Sequence, residues 1–310
     1  MEQGRTQSIF YMKRRFGDKM DASFQFIKES WKPLLRFTAY LLLPLCLLQA
    51  FFINCLMDGA LKIAVFQESG SIGTTDAVGF SFWASYIAVL LCFLVGVMLF
   101  VSLVYGLMKI YNEGEDEDRM KNISFAEFKP ILLTNLKRSL KLFFFYFCVF
   151  LIVLCICAAL VYLTPWTLVV TLPLLFVFYV PFLLLAPIYL FEKINFVDAF
   201  MRTFRLGFIT WGGVFLVVLV MGFIAGLLQG VFTTPWYVAT VVKFFFLQSN
   251  PDSIMGVSLG YGITLYLLAI LQMFGAYLSL TFSLTGLAYQ YAHASEVAAG
   301  ITVKDDVDRV

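Results

Sequence analysis

The residues able to do chemistry crowd into one stretch between two long apolar runs. Pro187 to Trp211 carries Glu192, Lys193, Asp198, Arg202 and Arg205. Arg202 and Arg205 lie about one helical turn apart, and guanidinium groups beside a membrane suit lipid phosphates. Lys193, Arg202 and Arg205 are therefore the candidate lipid-headgroup contacts, with the arginine stems snorkelling along apolar surface. Asp198 competes for Arg202, because it lies four residues earlier on the same helix. Other chemistry is scarce. The lone histidine, His293, leaves no basis for a histidine-rich catalytic or metal site. Six cysteines (46, 55, 92, 148, 155 and 157) fall inside or at the ends of apolar runs without a C-x-x-C pair, and read as small buried hydrophobes. The acidic run 113–118 reads as a solvated loop and lacks the ligand spacing of an EF-hand. No nucleophile motif, phosphate-cradling glycine loop or metal triad is present. The expectation is a protein that is not an enzyme and has no cofactor or metal.

The elements that must position these residues are membrane helices. Of 310 residues, 61% are hydrophobic and 14% charged, against about 25% charged in a soluble domain. A net charge of +2, without a basic tail, gives no reason to expect nucleic acid as a partner. Residues 1–33 are polar and basic, so no cleaved signal peptide is expected.

The apolar runs predict an all-α integral membrane protein with six spans: about 34–57, 82–108, 142–163, 166–191, 212–232 and 261–291. Loops 58–81 and 233–260 are polar, and Thr164-Pro165 leaves room only for a tight turn. Three amphipathic segments precede the odd-numbered spans. The first shows Phe24, Ile27, Trp31 and Leu34 on one face, and the second Phe125, Phe128, Leu132 and Leu136. The third shows Phe196, Phe200, Thr203, Phe204 and Gly207. Each holds a Ser-Phe or Asn-Phe pair, at 23–24, 124–125 and 195–196. The expected plan is a single membrane domain of three interfacial-helix-plus-hairpin units, 1–108, 109–191 and 192–291, followed by a tail at 292–310. Twenty lysines and arginines fall on the side of the termini and two on the other. The positive-inside rule then puts both termini in the cytoplasm. Trp31 and Trp211 fall at inner edges of the predicted spans and Trp83, Trp166 and Trp236 at outer ones, as tryptophan's interfacial preference requires.

Between the predicted span limits there is no Asp, Glu, Lys or His, which counts against an ion-coupled pump. Pro173, Pro181 and Pro187 predict kinks in the fourth span, either as packing bends or as a broken helix lining a site. Gly222, Gly226 and Gly230 in the fifth span, and Gly275, Ser279, Ser283 and Gly286 in the sixth, form small-residue faces. Such faces suit helix packing within the chain, or between copies in a homo-oligomer.

Two stretches carry a family resemblance. FGDKMDASFQFIKESWKPLLR at 16–36 and P-I-Y-L-F-E-x(5)-D-A-F-x-R-T-F-R-L at 187–206 resemble bacterial six-span membrane proteins. These are related to the membrane domain fused to some glycerophosphodiester phosphodiesterases, and Glu192, Ala199, Arg202 and Leu206 are the matching positions. The resemblance implies a six-helix protein of the bacterial inner membrane with no assigned activity. The phosphodiesterase domain and its metal site are missing from this chain, so that activity is not implied. The leading expectation is a non-enzymatic scaffold or accessory in envelope and lipid homeostasis, with membrane lipids and a homo-oligomeric or membrane-protein partner. The alternative is a transporter or channel for a small or amphipathic solute.

Overall fold

Long apolar runs favour long helices, and the computed structural model is built of them. It describes residues 10–68, 79–113, 123–192, 194–249 and 258–307, except the side chains of 62, 64–68, 113, 163, 165 and 301–307. The helices are α1 (Phe16–Glu68), α2 (Phe80–Glu113), α3 (Phe125–Leu163), α4 (Leu168–Phe182), α5 (Leu185–Phe191), α6 (Phe196–Ile209), α7 (Trp211–Ser249) and α8 (Leu259–Val307). A 3₁₀ turn at Pro165–Thr167 joins α3 to α4, where the sequence asks for a tight turn. Among the described residues there is no strand. Six segments are long and apolar enough to cross a membrane: α1, α2, α3, α4 with α5, α7 and α8. The protein is an all-α, six-span integral membrane protein.

Several helices overrun their expected ends. With 53 residues, α1 is about 80 Å long at 1.5 Å per residue, against an apolar bilayer core of about 30 Å. It absorbs both the first amphipathic segment and the start of the 58–81 loop. The second amphipathic segment likewise runs into its span as one helix, α3. The 233–260 loop is helical through Ser249, and the expected tail continues α8 to Val307. In the tail, hydropathy fades while helix propensity does not. AHASEVAA is a run of helix formers. Ser124 and Asn195 each open a helix, whereas Ser23 lies inside α1 with its hydroxyl on the Lys19 carbonyl. The α1 start is set earlier, where the Asp18 carboxylate accepts the Arg15 N–H at 3.0 Å. The Ser-Phe pair therefore does not mark a helix start at 23–24 as the pairs at 124–125 and 195–196 do.

The chain divides into two compact units that cut across the expected ones. The first comprises Met1–Leu35, Val101–Phe223 and Thr281–Val310, and the second Arg36–Phe100 and Ile224–Leu280.

In the first unit, α1 buries Lys19, Ser23, Phe26, Ser30 and Leu34, whereas Phe24 and Trp31 are exposed. Its polar residues Lys19, Ser23 and Ser30 face the protein with Phe26, while Phe24 and Trp31 face outward. The other two amphipathic stripes point inward. Phe128 and Leu132 are buried, and Gly106 on α2 lets the Phe128 ring approach. Phe196 and Phe200 pack on Phe145 with ring centroids 4.7 and 5.4 Å away. These stripes are consumed by packing within the chain.

In the second unit, Ala50, Trp236, Leu265 and Ala269 form a core. Trp236 is a packed residue there, its indole N–H donating to the Asn54 amide oxygen at 3.2 Å, and so is not the expected interfacial anchor. Tyr277 donates to Gln49 at 3.0 Å, and its hydroxyl end lies where a β-carbon on Gly96 would be. All six cysteines are free thiols. Cys46 and Cys92 are buried as expected, but Cys55 and Cys155 are exposed.

Candidate functional site

The fourth span is broken, and the break builds the site. α4 ends at Phe182, Leu183 and Leu184 form a turn, and α5 starts at Leu185. Pro187 is the physical cause: it has no N–H for the Leu183 carbonyl, and its ring crowds that carbonyl. Within the first turn of α5 the missing N–H costs nothing. Pro181 sits just before the break, packed where Gly207 has no side chain. Pro173 lies inside α4, which continues through it. Seven residues later α5 ends in extended backbone at Glu192, and α6 begins after Asn195.

Glu192 is the hub of this turn. One carboxylate oxygen accepts the Tyr291 hydroxyl, and the other pairs with Arg202 at 2.9 Å. Tyr291 in turn meets the Tyr11 hydroxyl at 3.2 Å. From α3, Arg138 donates to the backbone oxygens of Glu192 at 2.7 Å and Ile194 at 3.4 Å. Its guanidinium lies over the Tyr189 ring, 4.3 Å from the centroid. Burial raises the Tyr11 hydroxyl above its ordinary titration range. A carboxylate with an arginine and a phenol, backed by a second arginine on the carbonyls, is a tie between α3, α5, α6, α8 and the N-terminal segment.

The headgroup candidates separate in this arrangement. Arg202 pairs with Glu192, not with Asp198. Arg205 is exposed on α6, and Lys193 lies outside the described residues. Gly222, Gly226 and Gly230 face open space, and a β-carbon on any of them would meet nothing within 4 Å among the described residues. Gly275 accommodates the Phe232 ring, and Gly286 lies against Met221 and Val217. Ser279 is buried with its hydroxyl on the Ala276 carbonyl, and Ser283 is partly buried.

A second polar cluster, missed by the sequence reading, joins the N-terminal segment to α8. Lys19 and Arg14 are both buried, 4% and 6% exposed. Lys19 donates to the Gln290 amide oxygen at 2.7 Å, and Arg14 donates to the Phe10 carbonyl at 2.6 Å while lying over Tyr289. The Arg14 backbone N–H donates to His293 Nδ1 at 3.1 Å. The available signal was polar residues recurring at helical spacing on α1 (Lys19, Ser23, Ser30), opposite an aromatic face.

Comparison with protein-family models, curated proteins and solved structures finds no match.

Proposed function

We propose that the protein is a non-enzymatic scaffold or accessory of bacterial envelope and lipid homeostasis, held in the inner membrane with both termini in the cytoplasm. The observation that carries this reading is the tie around Glu192. Its carboxylate is bound to Arg202 and Tyr291, its backbone oxygen accepts Arg138, and Tyr291 meets Tyr11, so the turn joins α3, α5, α6 and α8 to the N-terminal segment. A general acid or base needs a group poised to transfer its proton to a substrate; this one is committed to the protein. The outward aromatic face of α1, with Phe24 and Trp31 exposed, supports membrane lipids as partners. Gentle purification followed by native mass spectrometry and cross-linking is the test. The expected result is a lipid preference or a specific co-purifying partner, either another protein or a second copy. The absence of both a lipid preference and a partner would overturn the reading.

A second reading, a transporter or channel for a small or amphipathic solute, is favoured by polar groups within the second unit. Gln49 and Tyr277 hydrogen-bond there, and the buried amide oxygen of Gln272 meets no donor among the described residues. Solute flux into proteoliposomes that disappears in a Gln49→Leu variant would support it; equal flux in native and empty vesicles would dismiss it.

A further inference from the structure

The cluster on α1 and α8 has an excess of donors. Lys19 is buried with one described partner, the Gln290 oxygen, so the three-donor ammonium retains N–H groups to offer. Gln290 is wholly buried and its amide nitrogen meets no acceptor among the described residues. The buried Tyr289 hydroxyl beside Arg14 is likewise without a partner there. His293 accepts the Arg14 N–H through Nδ1, which puts the proton of the neutral ring on Nε2 and makes that nitrogen a further donor. Lys13 approaches the same end of α8 at Gly300. These groups lie at the start of α1, whose dipole is positive there. On α1, Asp18 is exposed and occupied with the Arg15 N–H, and Glu29 accepts from Gln25 and Tyr111. Gly213 completes the arrangement: a β-carbon there would stand 3.0 Å from the Gln290 amide nitrogen.

Buried cations need an anion or a full set of acceptors. A site that presents several donors selects a ligand that only accepts. We infer that Lys19, Gln290 and His293, backed by Arg14, form a binding site for a phosphate oxyanion, supplied either by an anionic lipid headgroup or by free phosphate. Lys19 provides the charge, the Gln290 amide provides a directional donor, and Gly213 keeps that amide's space open. The inference goes beyond the scaffold reading and shares with it only the lipid as one source.

The test uses the full chain in nanodiscs of phosphatidylcholine with or without phosphatidylglycerol, with lipid retention read by native mass spectrometry. Inorganic phosphate is titrated in parallel in phosphatidylcholine alone, with the melting temperature as readout. Selective retention of phosphatidylglycerol identifies the headgroup; stabilisation by inorganic phosphate identifies the free ion. Lys19→Met should weaken whichever response occurs about tenfold or more, the scale of one charge-assisted hydrogen bond. Lys19→Arg should restore most of it. Gln290→Glu gives Lys19 a carboxylate partner, so it should keep the fold and lose the anion. Arg36→Gln, an exposed charge outside the cluster, should leave the response unchanged. No response in either arm, or a folded Gln290→Glu protein that responds like the native chain, would overturn the site. Cross-linked partners would still support the scaffold in that event, so the two readings fail separately.

Discussion

Arg202 passes over Asp198, its neighbour one helical turn away, and pairs instead with Glu192 at 2.9 Å across the α5–α6 turn. The choice follows from where the two carboxylates lie. Asp198 is exposed on α6, where an ion pair contributes only about 0.3–0.5 kcal/mol. The Glu192 side chain is 13% exposed and already holds the Tyr291 hydroxyl. Glu192→Gln should therefore destabilise the protein by about 1–3 kcal/mol, while Asp198→Asn should change little. Thermal unfolding of the two variants in detergent distinguishes them, and equal effects would contradict the assignment.

Arg138 tests the other side of the same turn. Its planar guanidinium reaches two carbonyls and stacks on Tyr189, geometry that a lysine cannot reproduce. Arg138→Lys should lose most of what Arg138→Ala loses, despite keeping the charge. Limited proteolysis at the α5–α6 turn, together with melting temperature, is the measurement. A lysine variant as resistant as the native chain would show that charge alone suffices.

Which parts of this arrangement were legible depended on range. Six spans follow from local hydropathy, and Pro187 marks the broken fourth span by local sterics. The ends of the helices were not legible, because hydropathy marks the apolar core of a span and not the helix end: α7 continues through Pro235 to Ser249 and α8 through Gly300 to Val307. The partners of Glu192 were hidden for a different reason. Tyr291 lies 99 positions away in sequence, and only the packing of α8 against the turn brings it there. An i to i+4 rule pointed Arg202 at Asp198 because that rule sees one helix at a time. The α6 stripe recurs at helical spacing, but periodicity does not distinguish a face turned to lipid from one turned to Phe145 and Phe182.

The glycines divide into two testable sets. A β-carbon on Gly207 would fall 2.6 Å from the Pro181 α-carbon, a backbone atom that cannot swing away. Gly207→Ala should cost about 1–3 kcal/mol through overpacking. Gly222, Gly226 and Gly230 face open space, so alanine there should be neutral or add up to about 1 kcal/mol of helix propensity each. Melting temperatures and the oligomeric state of a triple alanine variant check this. A destabilised or dissociated triple variant would instead place these glycines in a contact between copies.

Membrane orientation gives a prediction independent of packing. With twenty of the basic residues on the side of the termini, reporters fused at either terminus should report the cytoplasm. Reporters inserted within 69–78 or 250–257 should report the exterior. A cytoplasmic signal from either internal position would invert or break the six-span order.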